Sequence, residues 1–124
     1  MKKVSKSLQR WFIVHFILDY LFGVPLLLFP SWTLGLFGFL GIELLTARLV
    51  GAALLGIGGI SLIAHNKSKE VYKTLLTLKL IWSGTAIIAI LITIVEGAPV
   101  LTWLFLAIFV FFFLLWAYYL HKNN

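Results

Sequence analysis

The chain has 124 residues, 62% of them hydrophobic and 11% charged, with a mean hydropathy of +1.08. Soluble domains are closer to 25% charged and under half apolar, so for most of this surface the solvent must be a bilayer. The net charge of +6 points to no nucleic acid, for want of a basic face interleaved with stacking aromatics, and the absence of cysteine excludes thiol redox chemistry, disulfides and thiolate metal sites.

The expected fold class is all-α: a four-transmembrane-helix bundle forming a single membrane domain over residues 1–124. The first span runs over residues 11–29, preceded by Lys2, Lys3, Lys6 and Arg10. This start imitates a signal peptide. The apolar run continues through Asp19 to Phe29 with no small-x-small cleavage site, so it reads as an uncleaved span. Pro25 removes a hydrogen bond to the Leu21 carbonyl and is expected to bend or end the helix, with Pro30 as a stop. Residues 31–42, SWTLGLFGFLGI, are too short and too rich in glycine to span, and Trp32, Phe37 and Phe39 suit the headgroup level. An interfacial or re-entrant turn is expected there.

The second span, residues 44–64, is the helix around which the bundle is expected to form. Its stretch ARLVGAALLGIGG holds Gly51, Gly56, Gly58 and Gly59, with Ala47, Ala52 and Ala53. In water each interior glycine costs roughly 1 kcal/mol against alanine. In lipid, small residues instead let helices approach closely. Ala47–Gly51 and Ala52–Gly56 are small-xxx-small pairs that point about 100° apart, which equips the helix for two partners. The residues expected to pack are Ala47, Gly51, Ala52, Gly56 and Gly59. The third span covers residues 71–95. After Glu96-Gly97-Ala98, Pro99 suits the first turn of the fourth span, residues 99–120.

In this arrangement Lys2, Lys3, Lys6, Arg10, Lys67, Lys69, Lys73 and Lys122 share one side, and the other side has Glu43 and Glu96. The positive-inside rule then predicts both termini cytoplasmic.

A charge at mid-bilayer costs at least about 2.5 kcal/mol, so each one needs an account. His15 and Asp19 are i and i+4, neighbours on one helix face. Lys79 shares a face with Ser83, Ala86 and Thr93, and its estimated depth is about 6 Å from that of Asp19, at 1.5 Å of rise per residue. An inner polar cluster of Asp19, His15 and Lys79 is expected, against the alternative that Lys79 snorkels to the interface. Arg48 leans outward, and an outer cluster with Glu43 or Glu96 is expected. No cofactor and no metal is expected. His15 and Asp19 could give two ligands on one helix, with the third still to be found.

The stretches FGVPLLLFPSWTLGLFG and ARLVGAALLGIGGISLIA, within residues 21–64, resemble the small four-helix membrane proteins of the DoxX-like type. The resemblance lies in a proline-ended first span, a glycine turn and an arginine–glycine–alanine start to the second. It implies a four-helix bundle more than an activity, and no catalytic residue can be carried over from it; the expected place is multi-pass in a prokaryotic cell membrane. Small multidrug exporters are a poorer match, since they need a glutamate where Asp19 stands and often insert in dual topology.

Three functions compete. The favoured one is a non-enzymatic bundle that binds a lipid or hydrophobic small molecule, or serves as an accessory subunit, alone or as a homo-oligomer. The alternative is an oligomeric proton-linked transporter or channel that titrates Asp19 and His15. The third is a membrane enzyme using Asp19, His15 and Lys79 as acid/base groups.

Overall fold

A computed structural model describes residues 4–122; Lys2 and Lys3, used in the topology argument, lie outside the described residues. The fold is all-α, with no strand among the described residues. In order the helices are α1 (Lys6–Leu28), α2 (Pro30–Gly35), α3 (Leu44–Ala64), α4 (Lys69–Glu96) and α5 (Thr102–Lys122). All except α2 are long and apolar enough to cross a membrane. The chain divides into two compact units, residues 4–67 with α1, α2 and α3, and residues 68–122 with α4 and α5.

In the first unit α1 begins five residues before the expected span. Ser5 caps it, its hydroxyl accepting from the Leu8 N–H at 3.4 Å, so the basic segment Lys6–Arg10 is helical and Leu8 and Phe12 are fully buried. Pro25 does not end the helix. Only one backbone bond is lost to a proline, and the Phe29 N–H still reaches the Pro25 carbonyl at 2.7 Å, so α1 runs on to Leu28. Pro30 then opens α2 instead of merely stopping α1, because a first-turn N–H needs no helical partner. The expected turn is therefore a six-residue helix followed by a glycine-rich connection. Trp32 and Leu36 are exposed, and Leu40 is 92% exposed.

The α1–α3 seam is built from small residues. Along α3 the buried positions are Ala47, Gly51, Leu54, Gly58, Ser61 and Ala64, and along α1 they are Leu8, Phe12, His15, Asp19, Gly23 and Leu26. The backbones come so close that side chains are excluded. A Cβ at Gly51 would lie 2.8 Å from the Leu27 nitrogen and 2.9 Å from the Gly23 carbonyl oxygen, and one at Gly58 would lie 2.7 Å from the Asp19 Cβ. Of the expected packing residues, Ala47 and Gly51 lie in this seam, and Gly59 meets the Tyr20 hydroxyl, 3.0 Å from where a Cβ would sit. Ala52 and Gly56 are exposed, with nothing within 4 Å of a Cβ at Gly56.

In the second unit the Ser68 hydroxyl caps α4. The helix ends at Gly97, whose φ of 105° is a conformation that side chains resist. Residues 99–101 form a tight turn rather than helix. The N–H groups of Thr102, Trp103 and Leu104 donate to the carbonyls of Pro99, Val100 and Leu101, and α5 begins three residues later than expected. The two helices meet through rings. Trp82 and Phe109 are edge-on with centroids 6.0 Å apart, and Phe113 sits against Gly84. The hydroxyls of Thr74, Thr77, Thr85 and Thr93 each donate to the carbonyl four residues back, which satisfies them without a second helix.

Candidate functional site

The spacing of α1 places His15 and Asp19 one turn apart on the face that packs on α3. Their side chains pair, Nε2 to Oδ1 at 3.4 Å, and the residues are 5% and 6% exposed. The carboxylate owes its place to α3. Gly58 is what lets the α3 backbone pass the Asp19 side chain, since any β-carbon there would collide with it. The antiparallel register that sets Asp19 beside Gly58 and Gly23 beside Gly51 puts Ser61, fully buried, at about the level of His15. Its hydroxyl donates to the Ile57 carbonyl at 2.9 Å. The first unit thus buries an ionisable pair on a seam otherwise made of small and apolar groups. Such a pair can hold or relay a proton, which makes it a candidate functional site. Among the described residues no three His, Asp or Glu side chains gather as a metal-binding group.

Lys79 belongs to the second unit. It is 1% exposed. Its ammonium lies 5.1 Å from the centroid of the Trp116 ring, a cation–π distance, and Trp116 is itself stacked on Phe112 at 5.5 Å. The Ser83 hydroxyl donates to the Lys79 carbonyl at 2.7 Å. The small polar face expected from Lys79 to Thr93 is buried at Lys79 and Ser83 and exposed at Thr93.

Glu43 and Arg48, expected in one outer charge cluster, are held separately. Glu43 is the N-cap of α3. Its carboxylate accepts from the N–H groups of Leu45 at 3.1 Å and Thr46 at 2.6 Å, and from the Thr46 hydroxyl. These bonds, the Thr46 hydroxyl first, hold its pKa below the ordinary carboxylate range. Arg48 turns instead to backbone. Its Nε donates to the Leu27 carbonyl at 3.2 Å, and among the described residues no ion pair joins it to Glu43. Leu27 is in the last turn of α1, where carbonyls lack helical partners and a cation is favourable. Glu96 is the exposed last residue of α4 in the other unit.

Two seam glycines lie outside the expected packing residues, Gly23 and Gly58. The signal for Gly58 was present: Ala47, Gly51, Leu54, Gly58 and Ser61 are spaced four, three, four and three, the period of a continuous helix seam. The chain matches no protein-family model, no curated protein and no solved structure.

Proposed function

We propose that this multi-pass membrane protein, of the DoxX-like type and with both termini cytoplasmic, works by holding a lipid-like molecule or another membrane protein and not by catalysis. The observation that carries this reading is the open second face of α3. Gly51 and Gly58 are needed for contact with α1, whereas Ala52 and Gly56 face outward with no side chain near Gly56. A glycine that only met acyl chains would gain no packing over alanine. A second surface that comes close to the α3 backbone gives it a purpose. The orientation is supported by Lys6 and Arg10 at the start of α1, Lys67, Lys69 and Lys73 between α3 and α4, and Lys122 at the end of α5, against Glu43 and Glu96.

Native mass spectrometry of the protein released from nanodiscs tests this. A retained lipid, hydrophobic molecule, second copy or partner protein that is lost in Gly56→Leu is the expected result. Bare monomer from the wild type refutes it.

A second reading rests on a separate observation, the buried His15–Asp19 pair. In it the protein is a proton-linked transporter or channel, and proton flux into liposomes should collapse in Asp19→Asn. Flux that persists in that variant removes Asp19 from any such mechanism.

A further inference from the structure

At the outer end of the first unit one residue of α1 is held twice by α3. Leu27 is gripped by α3 from two directions: its nitrogen lies 2.8 Å from where a Gly51 Cβ would be, and its carbonyl accepts from the Arg48 Nε at 3.2 Å. Gly51 and Arg48 are three residues apart on α3, so the two holds come from adjacent turns. Two residues before Leu27 stands Pro25, which has no N–H for the Leu21 carbonyl, so α1 is weakest immediately before the fastening. Beyond it, the Thr33 N–H and hydroxyl both donate to the Phe29 carbonyl, which binds α2 to the end of α1 as one piece. From α2 to the start of α3 the further anchors are the Phe37 ring against Phe22 of α1, centroids 6.2 Å apart, and the Glu43 carboxylate on the first turn of α3. Pro30 and Thr33 are buried, while Trp32, Leu36 and Leu40 are exposed.

We propose that residues 29–42 form a lid hinged at Pro25 and latched by Arg48. With the latch closed, the lid covers the outer end of the α1–α3 seam, where Leu26 and Ala47 are buried. With it released, the turn after Pro25 and α2 swing together, and that end of the seam opens to the surrounding membrane. The latch suits reversible opening because it is one exposed, charge-assisted hydrogen bond to a backbone oxygen, not a packed side chain. The proposal is independent of the binding role assigned to the Ala52–Gly56 face.

The absence of cysteine makes the test direct. Spin labels on Leu36→Cys and Val50→Cys, both exposed sites, report the lid against α3, and labels on Val14→Cys and Ile63→Cys report the inner end of the seam. Distances are measured by pulsed electron resonance on the full chain in nanodiscs. Arg48→Met should add a longer-distance component to the outer pair and leave the inner pair unchanged. Adding Pro25→Ala, which restores the missing N–H, should suppress that component. An outer distribution unaltered by Arg48→Met overturns the latch. A shift of the inner pair as well shows that Arg48 holds the whole unit, and a long component that survives Pro25→Ala shows that the hinge is elsewhere; either result overturns the lid.

Discussion

The α1–α3 and α4–α5 pairs solve one problem by opposite means. In lipid there is no hydrophobic force between helices, so association must come from packing and hydrogen bonds. The first pair removes its side chains at Gly23, Gly51 and Gly58 until backbone meets backbone. The second keeps large side chains and interlocks them, with Trp82 on Phe109 and Lys79 over Trp116. The contrast teaches where each pair can tolerate change: the glycine seam has no slack for additions, and the ring seam has none for deletions.

The largest effect should follow from adding atoms to the glycine seam. Gly51→Leu must displace the Leu27 nitrogen and the Gly23 carbonyl, which are backbone and cannot rotate away. Unfolding in mixed micelles should show a loss above about 3 kcal/mol, beyond ordinary overpacking. A smaller loss would mean that the two helices can separate without penalty. Next, Trp116→Ala should destabilise by about 2–3 kcal/mol, the cavity term without the full water-transfer term. It also strips Lys79 of its ring, and Lys79→Met with Trp116 intact separates the two losses in the same assay.

A weaker effect should appear at Glu43. Its folded pKa is below the reference value of 4.5, so the cap stabilises α3 fully above that pH and is lost as pH falls through the folded value. Thermal melts between neutral and about pH 3 should therefore fall more steeply for the wild type than for Glu43→Gln, and parallel curves would show the cap to be idle. The smallest effect is expected on the open face. Gly56→Leu should change stability by less than about 0.5 kcal/mol, since no protein atom is near. A large loss there would mean that the face is already occupied within the folded protein.

Much of the fold was legible because lipid makes composition decisive. The second span, residues 44–64, coincides with α3, and the other three long helices lie where apolar runs lie. The i, i+4 spacing was enough to bring His15 to Asp19. Boundaries were harder. Ser5 extends α1 and the turn over residues 99–101 delays α5 because local hydrogen bonds, not hydropathy, set helix ends. Arg48 illustrates a deeper gap. Charge pattern offers it glutamates, yet its partner is a carbonyl, and carbonyls are present at every residue and so carry no sequence signal.

The four long helices are unequal: α4 has 28 residues, and α3 and α5 have 21 each. At 1.5 Å per residue that is about 42 Å against about 32 Å, where a typical hydrocarbon layer is about 30 Å thick. The excess turns carry Lys69, Glu70, Lys73 and Thr74, so α4 leaves the apolar layer as a rigid post of about 10 Å and not as a slack loop. Thicker, sterol-rich or long-chain bilayers should draw that post inward against its charges, and thinner ones should force a steeper tilt. The apolar remainder of α4, residues 75–96, has about the length of α3 and α5, so one bilayer thickness suits all three helices.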